Sequence, residues 1–161
     1  MDIKYEIYKR LSMSLILKAS FFGFFFVSYS QCVLASKADD FIQKIHVATY
    51  DCPNDKFMPK IDQYLTLRNV SPEQLIKFKV HKAHWLICVG KNDEAQGMLE
   101  NLLLDPLMDK NSESYAKVHY QLGFIFDVQE KPGKCDFYRK SEQLAKNKFN
   151  DIYLSSQLGL I

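Results

Sequence analysis

Two nearly identical segments place the strongest constraint on how this chain can fold. The residues QLGFI at positions 121–125 recur as QLGLI at positions 157–161, a spacing of 36 residues. Periods of about 20 to 50 residues are typical of solenoid proteins, in which each repeat is one supersecondary unit. Such a unit cannot bury its apolar side alone and has to stack on its neighbours. The spacing therefore predicts stacked repeats.

The period of the apolar residues predicts the class of secondary structure. After residue 36 they recur at intervals of three and four, and strand-like alternation is almost absent. We therefore expect an all-α fold built from antiparallel helical hairpins. The expected helices cover about residues 39–50, 56–67, 71–89, 92–105, 114–128 and 135–148, with a last helix from about residue 152 that is still in progress at residue 161.

Local start and stop signals frame these helices. Ser71, Pro72 and Gln74 have the spacing of a capping box with proline at the first helical position. Gly90 fits the left-handed residue that ends a helix. Asn150 is expected to cap the last helix.

The first 35 residues have the order of a secretory signal. Four basic residues precede an apolar run at 21–27, which leads to small residues before an expected cleavage site at Ser36. The alternative is an uncut anchor, because residues 11–34 are long enough to span a bilayer of ~30 Å. Both alternatives export the rest of the chain. The expected organisation is a signal peptide or anchor (1–35), a helical lead segment (36–70) and repeats of which the last is incomplete (71–161).

Net charge argues against a nucleic-acid partner. The chain has 21 Lys and Arg residues against 19 Asp and Glu. Four of the basic and two of the acidic residues lie in 1–35, so the remainder has a net charge of zero. Nothing in the balance of charge would attract phosphate backbones or an anionic membrane surface.

Cysteine usage agrees with export to an oxidising compartment, where disulfides persist. Outside the leader the cysteines are Cys52, Cys88 and Cys135. We favour a bond between Cys52 and Cys88, which would tie the lead segment to the first long helix and contribute roughly 3 to 4 kcal/mol. Cys135 then remains as a small buried apolar residue or a spare thiol.

The repeat segments resemble those of tetratricopeptide repeat proteins. Gly123 has the position at which paired helices approach most closely, and Ala83 holds the equivalent place in the earlier hairpin. The other residues that carry the resemblance are Gly90, Ala95, Leu99, Leu122, Phe126, Tyr138, Ser141, Leu144 and Ala145. The resemblance implies a short solenoid whose first helices line a concave face.

A wider likeness concerns the order of the segments. A signal segment, a Cys-containing helical lead and degenerate repeats with YRKSEQLA at 138–145 and YLSSQLG at 153–159 are similar to the periplasmic part of membrane-bound diguanylate cyclases. The likeness implies a sensor region whose catalytic GGDEF domain would follow a further membrane helix. Since a solenoid needs about three repeats and a polar cap, we expect this chain to be a fragment or a truncated product.

The likeness to repeat proteins assigns a ligand-binding groove to the concave face. The expected lining residues are Lys77, His84, Lys117, Tyr120, Phe124 and Asp127. Their mixture of cations, aromatic rings and a carboxylate suits a protein, a peptide or a small polar ligand. The alternative is an ordinary solvated helix face.

Three potential metal ligands also share one helix face. His81, His84 and Cys88 stand at i, i+3 and i+7, a spacing that can hold zinc or copper. No fourth ligand is apparent, and a disulfide would occupy Cys88. We therefore expect packed or solvated histidines and no metal.

Catalytic arrangements are not apparent in the sequence. The serines lack a Gly-x-Ser-x-Gly turn, no glycine loop could cradle a phosphate, and the histidines have no assigned acid partner. We expect no enzymatic activity and no cofactor in this segment. The leading hypothesis is a periplasmic sensor or protein-interaction module of a membrane signalling protein, and the rival is a free periplasmic adaptor.

Overall fold

Every regular element that the computed structural model describes is helical, which confirms the all-α class. The described residues are 36–46, 52 and 55–161, so the expected signal or anchor and the expected end of the first helix at residue 50 lie outside them. The elements are α1 (residues 36–46), a 3₁₀ turn (Asp55–Phe57), α2 (Met58–Thr66), α3 (Pro72–Cys88), α4 (Asn92–Leu104), α5 (Glu113–Val128), α6 (Lys134–Ala145) and α7 (Asn150–Leu158). None of the described helices is both long and apolar enough to span a membrane.

Local signals set the ends of α3 as the sequence predicts. The hydroxyl of Ser71 accepts a bond from the N–H of Gln74 at 3.2 Å, and the Gln74 side chain accepts one from the N–H of Ser71 at 3.0 Å. This reciprocal pair satisfies two N–H groups that the first turn of a helix leaves without partners. Gly90 follows the helix with φ of +77°, the left-handed conformation that favours glycine.

The last helix differs from its prediction at both ends. Asn150 is the first helical residue and does not cap the helix, because Phe149 occupies the cap position and provides no side-chain bond. The expected continuation to residue 161 is also wrong, since α7 ends at Leu158 and Gly159 lies in a turn after it. Cap propensities compete over neighbouring positions, so sequence patterns locate such boundaries only to within one or two residues.

Helices pack mainly with their neighbours in the chain. Contacts join α3 to α4, α5 to α6 and α6 to α7, and α5 also packs against α3 and α7. Helix α5 therefore contacts both α3 and α7.

Three apolar clusters hold the unit that spans Ala38–Ile161. The largest lies among α3, α4 and α5 and includes the fully buried Leu99, Leu122 and Ile125. The smallest joins α5, α6 and α7 through Ala116, Ala145 and Ile152. Complete burial of a leucine or isoleucine side chain contributes about 1.5 to 3 kcal/mol.

The remaining cluster attaches the lead segment to the first long helix. The Phe41 and Tyr64 ring centroids lie 5.5 Å apart, and those of Tyr64 and Phe78 lie 4.8 Å apart in a stacked arrangement. Trp85 packs against this cluster and against the largest one, and its indole N–H donates to Asp55 at 2.7 Å. The lead segment is thus part of the fold, and Trp85 bridges two clusters.

Gly123 has a different role from the one expected. A Cβ atom at this position would lie 2.9 Å from Cδ1 of Tyr138, and one at Gly159 would lie even closer to the same ring. Both glycines therefore make room for an aromatic side chain of α6. The repeated glycine reflects the packing of Tyr138, whose side chain is 2% exposed, rather than backbone approach alone.

Candidate functional site

An open groove of about 550 Å³ is lined by residues of α3, α5 and α7, together with His46 and Cys52. It is a concave site of the size that small-molecule and peptide pockets usually have. Its lining residues are His46, Cys52, Val80, His81, His84, Ile87, Cys88, Lys117, Tyr120, Gln121, Phe124, Asp151, Ile152 and Ser155.

The lining residues of α3 share one face of that helix. His81, His84 and Cys88 stand at i, i+3 and i+7, so their side chains project from the same side of α3. Because α3 packs against α5, these side chains share the groove with lining residues of α5.

Four of the six residues predicted for the groove line it. They are His84, Lys117, Tyr120 and Phe124. Lys117, Tyr120 and Phe124 stand at i, i+3 and i+7 on α5, so they project from one face of the helix. The structure therefore brings four of the predicted residues, from α3 and α5, to one surface.

Lys77 and Asp127 do not line the groove and correct the prediction at its two ends. Lys77 lies one turn before His81 on α3, and its ammonium group pairs with Glu73 at 2.6 Å. Asp127 lies near the end of α5, where its carboxylate accepts a bond from Lys134 of α6 at 2.7 Å. This hydrogen bond is the main reason why the pKa of Lys134 is raised. Both residues keep to the expected helix faces but lie beyond the ends of the groove.

The lead segment supplies groove residues that sequence reasoning missed. His46 lies at the end of α1, and its Nδ1 accepts a hydrogen bond from Lys117 Nζ at 3.1 Å. Lys117 also pairs with Glu113 on its own helix at 2.6 Å. The sequence carries no signal for the contact with His46, because the two residues are 71 positions apart and belong to different kinds of segment.

Burial and positive charge act together on the histidines. Burial lowers the pKa of His81 to about 3, with further lowering by Lys117, His46 and His84. Burial and then Lys117 lower the pKa of His84 as well. Both imidazoles are therefore uncharged at neutral pH. Burial also raises the pKa of Tyr120, so its phenol remains a hydrogen-bond donor.

Gln121 adds a buried amide to the groove. Its side chain is 6% exposed, and Oε1 has no hydrogen-bond partner within the described part of the chain. A buried acceptor without a partner costs about 1 to 3 kcal/mol. The site thus contains an acceptor that a bound molecule could satisfy. Sequence reasoning did not single out Gln121, although it belongs to the repeated segment at 121–125.

A disulfide forms part of the groove wall. Cys52 and Cys88 are bonded, with their Cα atoms 5.9 Å apart. This is the pairing expected from the sequence, and it removes Cys88 as a thiolate ligand for the face it shares with His81 and His84. No group of three or more His, Cys, Asp or Glu side chains suited to a metal ion is found among the described residues. Cys135 is free and half-buried.

Comparison with known proteins assigns no family to this chain. No protein-family model, curated protein or solved structure matches it. The likeness to tetratricopeptide proteins and to diguanylate cyclase sensor regions therefore stays a prediction from the sequence. The ligand of the groove has to be inferred from the groove's own side chains.

Proposed function

We propose that this chain is an exported helical-repeat module that binds a peptide or a small polar ligand in the groove between α3, α5 and α7. The observation that carries the proposal is the convergence of Lys117, His84, Tyr120 and Phe124 on one concave surface. These side chains provide a cation, hydrogen-bonding groups and aromatic faces, which is the composition of ligand sites in proteins.

The proposal includes a tetratricopeptide-like arrangement of the helices. Helices that are consecutive in the chain pack in pairs, and α5 contacts both α3 and α7. In that family the first helix of each pair lines the concave face. The lining of the groove by α3, α5 and α7 supports the same layout here.

A sensor role follows from where the groove lies. Its walls come both from the lead segment, through His46 and Cys52, and from the repeats. A ligand that contacts both parts would change the free energy of packing between them. Such differential contact is the physical requirement for a ligand to shift a conformational equilibrium. We infer that occupancy would be passed to the output part of a membrane signalling protein.

NMR spectroscopy of isoleucine methyl groups in the exported chain tests ligand binding at the groove. Ile87 and Ile152 line it, whereas Ile61 is fully buried in the cluster of the lead segment. The chain would carry labelled isoleucine methyl groups and be screened with amino acids, organic acids and short peptides. We expect shifts of the Ile87 and Ile152 signals without a shift of Ile61. A screen that moves no groove methyl contradicts the proposal.

The signalling version has a separate test in the genome. Resemblance to diguanylate cyclase sensors predicts that the coding sequence continues in frame into a membrane helix and a Gly-Gly-Asp-Glu-Phe motif. A stop codon directly after Ile161 would contradict this version without contradicting ligand binding in the groove.

A free adaptor protein is the second candidate, favoured by exposed apolar residues on α7. Leu154 is 58% exposed and Leu158, one turn later on the same face, is 72% exposed. Adjacent exposed leucines suit a protein contact. A photoreactive residue at position 158, compared with one at Leu104 of α4, which is 81% exposed, tests this in cells. A cross-link to one protein that forms reproducibly at position 158 and not at position 104 supports an adaptor. Equal cross-linking at both positions contradicts it.

A further inference from the structure

Nitrogen-containing side chains gather at one end of the groove. Lys117 contacts His46 at 3.1 Å, and the groups that act electrostatically on His81 are Lys117, His46 and His84. This end of the groove therefore offers the carboxylate of a ligand one cation, Lys117, and the N–H groups of uncharged imidazoles. The acids nearby are Glu113, which pairs with Lys117 from the preceding turn, and Asp151, which lines the α7 side.

Three groove residues of different chemistry form a row along α5. Lys117, Gln121 and Phe124 stand at i, i+4 and i+7, so they succeed each other on one face at intervals of one turn. The row spans ~10 Å at 1.5 Å per residue. Its order is a cation, then an amide acceptor, then an aromatic ring that is 39% exposed.

Gln121, the middle residue of the row, has a hydrogen-bond acceptor without a partner among the described residues. Oε1 of Gln121 is buried and without a partner within the described residues, although the side chain borders the groove. Rotation about the last bond of a glutamine side chain has only a weak torsional preference. This rotation can turn the oxygen towards an O–H or N–H donor in the groove.

We propose that the groove binds a small 2-hydroxy or 2-amino carboxylate with an apolar side chain. The carboxylate pairs with Lys117 and accepts from His84, the neighbouring O–H or N–H donates to Gln121, and the apolar end packs on Phe124. The order of groups in this ligand class matches the order of the row. This inference rests on the proposed function and specifies its ligand.

Three probe ligands, each lacking one more functional group than the last, test each contact. The probes are L-3-phenyllactate, 3-phenylpropanoate, which lacks the hydroxyl, and 3-phenylpropanamide, which also lacks the charge. Isothermal titration calorimetry on the exported chain should show affinity falling about tenfold at each step, because one hydrogen bond or ion pair is lost each time. Equal affinity for the propanoate and the propanamide overturns the carboxylate assignment.

Matched lysine variants separate the groove cation from general charge effects. Lys117→Met should remove the preference for the propanoate over the propanamide. Lys77→Met is the control, because Lys77 makes the same i, i+4 ion pair with a glutamate at 2.6 Å but lies outside the groove. A similar loss in both variants overturns the role of Lys117.

Matched glutamine variants test the donor contact. Gln121→Leu should remove the preference for phenyllactate over the propanoate without lowering the melting temperature, since it deletes an acceptor that has no partner among the described residues. Gln129→Leu is the control for a buried acceptor outside the groove, and it should keep the preference for phenyllactate although it also removes the hydrogen bond from Gln129 Nε2 to Asp93. Retention of the preference in Gln121→Leu overturns the donor contact.

The outcomes distinguish this inference from the broader proposal. If none of the three probes binds but another ligand moves the Ile87 and Ile152 methyl signals, the ligand class is wrong and the proposed function stands. If no ligand moves those signals, both are wrong. Stepwise loss along the probe series, abolished selectively by the two groove variants, supports both.

Discussion

The buried hydroxyl of Ser156 on α7 donates to the hydroxyl of Ser141 on α6 at 2.9 Å and shares the same hydrogen with the carbonyl of Ile152 at 2.7 Å. Ser141 in turn donates to the carbonyl of Ala116 on α5 at 2.9 Å. Both serines are fully buried. This short chain of bonds links three consecutive helices.

Replacement of Ser141 by alanine should lower the free energy of unfolding by about 1 to 2 kcal/mol. Ser141→Ala deletes the middle of the chain of bonds, whereas Ser156→Ala should have a smaller effect, because Ser141 keeps its bond to Ala116. Urea unfolding of the two variants and of the double variant measures the coupling. Additive losses would show that the two hydroxyls act independently.

Alanine at Gly123 should destabilise the protein by about 1 to 3 kcal/mol, because the new methyl group overpacks the site. It would meet the Tyr138 ring at 2.9 Å, and Gly159 lies close to the same ring, which leaves the ring little room to move. Gly97→Ala in α4 is the control, since a Cβ there meets nothing within 4 Å. Helix propensity predicts that this control is stabilised by about 0.5 to 1 kcal/mol, and thermal unfolding measures both effects.

Reduction of the Cys52–Cys88 bond should lower stability by about 3 to 4 kcal/mol, because the bond closes a long loop in the unfolded chain. The two cysteines are 36 positions apart. Melting curves with and without reductant measure the change, and the double alanine variant is the control that reductant should not affect. Since both cysteines border the groove, reduction should also weaken binding of any groove ligand.

Acid should destabilise the fold through its buried histidines. Burial lowers the pKa of His119 to about 4 and that of His81 to about 3, against 6.5 for the free side chain. Between pH 6.5 and about 4 the unfolded chain binds protons that the folded chain does not, so stability falls as the pH falls. His119→Phe should reduce this loss by about 2 to 3 kcal/mol at pH 4. Urea midpoints from pH 7 to pH 4 measure it, and an unchanged acid slope in the variant would contradict the assignment.

Features that depend on near neighbours in the chain were predictable. The capping box at Ser71 involves residues within four positions of one another, and so does the left-handed stop at Gly90. The sequence pattern therefore indicates both features directly. The helix faces of α5 were predictable for the same reason, because Lys117, Tyr120 and Phe124 follow from the period of one helix. The ends of α7 were not, since neighbouring positions compete for the cap.

The limits of the groove could not be read from the helix period. That period continues through Lys77 and Asp127, and only the packing of α6 and the position of α3 decide that these residues lie beyond the groove. His81 could have been found as a groove residue, because it stands between Lys77 and His84 at i, i+4 and i+7 on the same face of α3. The position of His46 in the groove could not have been predicted, because no repeat relates His46 to α5.

The sequence by itself determined that the chain is helical and where α3 begins and ends, because these properties depend on interactions within one turn. The repeated segments at 121–125 and 157–161 also indicated that helices would stack. Only the tertiary structure decided that their glycines accommodate Tyr138 and that α1 brings His46 to Lys117. Those contacts join residues far apart in the chain, and side-chain shape and burial, rather than local propensity, select them.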